Sequence, residues 1–188
     1  MRLAIFGGTF DPIHTAHLTV AREAARQFGL SEVLFVTASR PPHKGGRTWA
    51  SYEDRSRMVD LACAGEPLFQ VSRLEAGQRT SYSIVTIEKL RASLAPPDEL
   101  FFLIGADAFA EIRTWHRWQE VIRQVAFIVV TRPGHRYVTP PGARVTTLET
   151  VALPVSSSEL RARLAAGEAP AEIPPAVFDY IREHGLYK

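Results

Sequence analysis

Apolar residues along the chain gather in short unbroken runs. "RLAIF" (Arg2 to Phe6), "EVLFVTA" (Glu32 to Ala38), "FQVSR" (Phe69 to Arg73), "LFFLIG" (Leu100 to Gly105) and "VAFIVVT" (Val125 to Thr131) are rich in β-branched and aromatic residues, and a weaker run, "ARVTTL", starts at Ala143. Runs of this kind suit strands buried on both faces of a parallel sheet. Between them the spacing turns helical. Leu18, Ala21, Ala25 and Phe28 share one face of a helix from about His17 to Phe28, which Gly29 ends. Ser51 to Ala64 reads as a second helix, capped by Ser51 with Asp54 in its first turn. Tyr82 to Leu94 reads as a third, carrying Ile84, Ile87, Leu90 and Leu94 until Pro96-Pro97 ends it.

This alternation predicts an α/β fold, a Rossmann-like doubly wound, mainly parallel sheet. After the fifth run come a proline-containing loop and two helices, about Ser157–Ala166 and Pro175–His184. They are expected to pack on the sheet as a C-terminal helical extension, about 156–188, of one domain spanning 1–188.

Composition narrows the function classes. The chain is 46% hydrophobic and 22% charged, which excludes a disordered or fibrous chain, and its formal net charge of +2 comes without any block of like charges. A nucleic-acid polymer is therefore not expected as partner. One cysteine, Cys63, excludes an internal disulfide and a cysteine-based zinc site, and its apolar helical surroundings mark it as core. No apolar stretch approaches the ~20 residues of a membrane span, and the opening run is too short for a signal peptide. A soluble cytoplasmic protein is expected, with a homo-oligomer left open.

The chemistry concentrates at strand exits, where open α/β sheets bind ligands. "GGTFDPIHTAH" follows the first strand. Gly7 and Gly8 read either as a tight turn or as a place where backbone N–H groups approach a ligand closely. The next helix begins near Thr15, and its N-terminus favours an anion. His14 and His17, three residues apart, then face the same way, placed to donate hydrogen bonds to phosphate oxygens. A metal pair is the other use of such spacing, but no cysteine completes it and Asp11 is the one acid nearby, so no metal site is expected. The stretch has neither G-x-G-x-x-G spacing nor a P-loop lysine. Far along the chain, "VSSSELR" (Val155 to Arg161) fits the Ser-x-x-Glu capping box through Ser156 and Glu159.

"GGTFDPIHTAH" resembles the H-x-G-H signature of the nucleotidyltransferase superfamily, with Ala16 where that family usually carries glycine. "VSSSELR" is similar to the superfamily's second motif, a serine-rich helix start with an arginine one turn on. Further segments, "PPHK" ending at Lys44, "TSYSI" from Thr80, "LIGADAFAEIRTWHRW" and "VVTRPG", resemble bacterial nicotinate-nucleotide adenylyltransferase over essentially the whole chain. That resemblance implies transfer of the adenylyl group of ATP, accompanied by Mg²⁺, to nicotinate mononucleotide, giving deamido-NAD and pyrophosphate in NAD biosynthesis.

Carried over residue by residue, it implies that His14, His17, Lys44 and Arg161 act on the ATP phosphates. Gly7, Gly8, Thr9, Phe10, Gly105, Asp107, Ser157 and Ser158 complete the ATP site, with Asp107 on a ribose hydroxyl. The acceptor would meet Gly8, Thr9, Lys44, Ser81, Tyr82, Ser83, Trp115 and Arg132, with Trp115 stacked on the pyridine ring and backbone N–H groups around Ser81–Ser83 on its carboxylate. A phosphopantetheine adenylyltransferase and a non-catalytic nucleotide-binding regulator are the alternatives. The "SYS" and "GAD…W" segments weigh against the first, and the full set of His14, His17, Lys44 and Arg161 against the second.

Overall fold

Each apolar run becomes a strand: β1 (Arg2–Gly8), β2 (Glu32–Thr37), β3 (Phe69–Ser72), β4 (Glu99–Gly105), β5 (Ala126–Thr131) and β6 (Arg144–Glu149). The computed structural model describes residues 1–41, 47–150 and 155–188. Among them the sheet has six strands in the order β3-β2-β1-β4-β5-β6, with every neighbouring pair parallel. The chain winds outward from β1 through β2 to β3, then returns to lay β4 against the other side of β1. The carboxyl ends of β1 and β4 therefore form the switch point of a doubly wound sheet, as expected.

The helices are α1 (Thr15–Phe28), α2 (Tyr52–Cys63), α3 (Ser83–Arg91), α4 (Ala106–Ala110), α5 (Trp118–Gln124), α6 (Ser157–Ala165) and α7 (Pro175–Glu183). α1 ends where Gly29 takes a left-handed conformation with φ 58°, and α2 is capped by Ser51 Oγ accepting from the Asp54 amide at 3.0 Å. α3 stops at Arg91, short of the expected Leu94, because its last turn tightens: the Ser93 and Leu94 amides reach back three residues, to Leu90 and Arg91. α4 and α5 are too short to write a helical period into the sequence.

Alternation along the strands sends side chains to two separate cores. Ala4 and Phe6 of β1 pack with α1, α2, α6 and α7, represented by Leu18, Met58, Leu160 and Val177. Leu3 and Ile5 face the other way, toward Ile84 of α3, Phe109 of α4 and Val121 of α5. Cys63 lies in the first core, and burial with Asp60 and Glu66 nearby pushes its thiol up to about 12, so it serves as packing. The two C-terminal helices close over the face that holds α1 and α2, and Tyr180 of α7 donates its hydroxyl proton to Asp54 of α2 at 2.8 Å.

One guanidinium ties the switch-point loops together. Arg55, on α2, is fully buried. Its Nη1 donates to the carbonyls of Thr9, after β1, and Ala38, after β2, at 2.8 and 2.7 Å. Nη2 reaches the Ser39 carbonyl at 3.3 Å and Nε the Ala50 carbonyl at 3.2 Å. Removing the charge strands these acceptors in a dry interior. Arg55→Met is expected to lower the unfolding free energy by about 3–5 kcal/mol in urea titration; a loss under 1 kcal/mol would show that the loops do not depend on it.

Candidate active site

The loop between β1 and α1 is shaped from inside by Asp11, whose carboxylate is 2% exposed. Oδ2 accepts from the Trp49 amide at 2.7 Å, and Oδ1 accepts from the Ala50 amide at 3.1 Å and the Tyr187 hydroxyl at 2.6 Å. The Asp11 carbonyl takes a bond from Arg161 Nη1 at 2.7 Å, and the next carbonyl, of Pro12, one from Ser157 Oγ at 3.0 Å. The start of α6 thus meets the start of α1, although 140 residues or more of sequence separate the two partners of each bond.

The paired glycines are needed for different reasons. Phe10 has φ 49° and turns its ring into the first core, edge-on to His17 at 5.1 Å. A Cβ on Gly8 would lie 2.8 Å from that ring, so packing requires this glycine. On Gly7 it would meet the Phe102 ring at an ordinary 3.5 Å, and Gly7 instead borders a cavity.

His14 is the N-cap of α1 and His17 lies in its first turn, with ring centroids 3.8 Å apart. The His14 amide donates to His17 Nδ1 at 3.2 Å, which assigns the His17 proton to Nε2. Burial lowers His14 to about 4, with Glu172 opposing, and burial together with His14 holds His17 well below the usual histidine range. Both rings are therefore neutral at pH 7. They are hydrogen-bond donors that bring no charge of their own to the site.

Two cavities flank the switch point, one on each face of the sheet. The first, about 520 Å³, is bordered by Gly7, Gly8 and Thr9, by Ser81, Tyr82 and Ser83 at the start of α3, and by Trp115 with its edge-on neighbour Phe102. The second, about 430 Å³, is bordered by Ala16 and His17 of α1, by Gly105 and Asp107 after β4, and by Arg132 after β5. The methyl group of Ala16 faces the second cavity, where glycine would have left more room.

Most candidates from the sequence converge here, with specific differences. Lys44 lies outside the described residues. Arg132, expected beside the acceptor, borders the second cavity with Asp107 instead. The Phe10 ring is 3% exposed in the core and borders neither cavity, so it supports the loop from below. Ser81 is already engaged: its amide donates to the Arg40 carbonyl and its Oγ accepts from the Arg40 amide, both at 3.1 Å. An anion at α3 is thus left to the amides of Tyr82, the N-cap, and Ser83. Asp107 does not cap α4, whose N-cap is Gly105. Ser158 Oγ accepts from Arg161 Nη2 at 3.0 Å, and the Arg161 guanidinium lies 5.4 Å from the centroid of the Trp49 ring.

Other contributors went unread in the sequence. Arg55 keeps helical spacing with Met58, Val59 and Ala62, a charge on an apolar face that pointed to burial. The His116 ring lies 4.4 Å from that of Tyr82, tilted by 32°, and both border the first cavity. Glu75 and Thr86 border it as well, joined by a 2.9 Å bond. Nothing in the local sequence of these residues signals that meeting. Among the described residues no group of three or more His, Cys, Asp or Glu is placed to hold a metal ion, and no helix is long and apolar enough to cross a membrane.

Known proteins share this fold and much of this sequence. A family described as cytidylyltransferase-like matches residues 5–163. The chain is 59% identical over 187 residues to a probable nicotinate-nucleotide adenylyltransferase of Solibacter usitatus, covering all of both chains. It is 42% identical over 190 residues to one from Thermus thermophilus, again covering all of both. Among solved structures, nicotinic acid mononucleotide adenylyltransferase of Plasmodium falciparum complexed with NaAD superposes with a TM-score of 0.79 at 22% identity, covering 99% of this chain and 97% of that one, a likeness of fold.

The buried imidazoles make stability depend on pH. His14 is lowered from 6.5 to about 4, so its neutral form contributes stability above pH 6.5 that is lost as pH falls toward 4. At about 1.4 kcal/mol per unit this is about 3 kcal/mol. Between pH 7 and 4, His14→Asn is expected to lose about 3 kcal/mol less unfolding free energy than the parent protein; equal losses would place the titration elsewhere.

Proposed function

The chain belongs to the cytidylyltransferase-like family and, within it, to the nicotinate-nucleotide adenylyltransferases, and from that premise we propose how its two cavities divide the work. The enzyme transfers the adenylyl group of ATP to nicotinate mononucleotide, giving nicotinate adenine dinucleotide and pyrophosphate, a step of NAD biosynthesis. The second cavity takes the adenosine of ATP, with Asp107 at the ribose and Arg132 at its border. The first takes the acceptor, its ring against Trp115 and its carboxylate at the amides of Tyr82 and Ser83. One observation supports the assignment: the two cavities lie on opposite faces of the sheet, the end of β1 and the residue after it bordering the first and the first turn of α1 the second.

In the reaction an oxygen of the acceptor's 5′-phosphate attacks the α-phosphorus of ATP. The new P–O bond forms as the bond to the bridging oxygen breaks, and that electron pair leaves with pyrophosphate. The attacking phosphate is already ionised, so the site needs no strong base; positioning and charge stabilisation suffice. His17 Nε2–H donates to phosphate oxygen, and His14 adds a second neutral donor beside it. Arg161, with Ser157 and Ser158 at the start of α6, receives the leaving phosphates, and Lys44 is assigned to the same charge. Mg²⁺ enters with ATP as part of the substrate and shares that charge. The substrates are soluble anions, which suits a cytoplasmic enzyme.

The acid is preferred over the amide because a carboxylate gains from the positive end of α3 and a carboxamide does not. Pyrophosphate release from ATP and Mg²⁺ is expected with nicotinate mononucleotide and about 10–100-fold slower, as kcat/KM, with its amide. Release with phosphopantetheine alone would overturn the acceptor assignment. His17→Ala is expected to lower kcat by about 10²–10³ with little change in ATP affinity, and an unchanged kcat would remove His17 from the chemistry. Trp115→Ala is expected to raise the KM for the acceptor while that for ATP holds; equal KM values in parent and variant would remove the stacking role.

A further inference from the structure

The segment after α7 reaches the β1–α1 loop through one side chain that the reaction above does not use. Tyr187 is buried with φ 60°, and its hydroxyl donates to Asp11 Oδ1 at 2.6 Å. Burial and the adjacent carboxylate push its phenol up from the ordinary value, so it stays a donor. The other bonds that the structure gives this carboxylate come from the backbone amides of Trp49 and Ala50. Arg55, although charged and close, spends its N–H groups on carbonyls.

Two routes lead from Asp11 to Arg161. Its carbonyl accepts from Arg161 Nη1 at 2.7 Å. Its Oδ2 holds the amide of Trp49, whose ring lies 5.4 Å from the same guanidinium. The orientation of one buried residue thus sets two of the three supports of the cation assigned to the leaving phosphates, the third being Ser158 Oγ. The end of β1 and the start of this loop also border the acceptor cavity, at Gly7, Gly8 and Thr9, but among the described residues none of the hydrogen bonds of Asp11 reaches that cavity's other walls, α3, β4 and the segment around Trp115.

We infer that Tyr187 is a positioning residue for the nucleotide half of the reaction, acting through Asp11 on Arg161 and on the loop that carries His14. This rests on the reading of the second cavity and the start of α6 as the ATP site. The Tyr187 ring packs in the first core and survives replacement by phenylalanine, so Y187F removes the hydroxyl and leaves the packing. A purely structural tyrosine would lower the melting temperature and leave the kinetics of the folded enzyme alone. A positioning tyrosine separates the two substrates.

The test is steady-state kinetics of Y187F well below its melting temperature, with calorimetric binding of a non-hydrolysable ATP analogue. Expected are a fall of about tenfold in kcat/KM for ATP, weaker analogue binding, and a KM for the acceptor within about twofold of the parent value. In an R161A background Y187F is expected to add little further loss, because its effect passes through that arginine. Unchanged kcat/KM for ATP with equal analogue binding, whatever the melting temperature, would overturn the inference alone. A parent protein that does not bind the analogue would overturn the nucleotide-site reading and the inference with it. Parent enzyme that binds the analogue without turning over the acceptor would overturn the reaction assignment, and the analogue comparison would still decide the role of Tyr187.

Discussion

Two buried opposite charges that do not hydrogen-bond to each other hold the site in shape. Asp11 and Arg55 are 2% and 0% exposed, near enough that the carboxylate offsets part of the cost of burying the guanidinium. Each directs hydrogen bonds to the backbone, Asp11 collecting amides and Arg55 collecting carbonyls. Burying either alone would cost several kcal/mol, so the pair must be kept together. Irregular loops cannot satisfy their own polar groups as helices and strands do. At this switch point a carboxylate and a guanidinium supply the missing partners, and Thr9, Ala38, Ser39, Trp49 and Ala50 are tied to the start of α2 and the β1–α1 loop.

Burial also sets the electrostatics of the site. The site proposed for the triphosphate could have been lined with fixed cations, at the cost of mutual repulsion without a ligand. Here the two histidines lying deepest are neutral, and positive potential comes from the N-terminus of α1 and from Arg161, which is half-buried and supported by Trp49. Donors with fixed direction and little charge are preorganised without self-repulsion, which is what stabilising a developing anion requires.

The sequence made much of this visible. Continuous apolar runs gave the strands, capping residues gave the ends of α1 and α2, and the glycine–histidine and serine–arginine segments marked the two helix starts that meet at the site. What stayed hidden depends on the third dimension. α4 and α5 are shorter than the window in which periodicity can be read. Phe10 looked like a ligand contact because it sits inside the motif, yet its positive φ turns it inward. Arg132 follows β5 on the same sheet edge as the acceptor residues, and only the face on which it emerges puts it with Asp107. Ser81 was read as a donor because it precedes a helix, but its pairing with Arg40 is a contact across 41 residues.

Placing the cavities on opposite faces of one sheet has a consequence for turnover. Before the reaction the enzyme holds two ligands that can leave independently. On the proposed division they are afterwards a single molecule spanning both cavities, and either half, while still bound, keeps the other at high effective concentration. The product would then be a bivalent ligand of its own enzyme, escaping only when both grips open together.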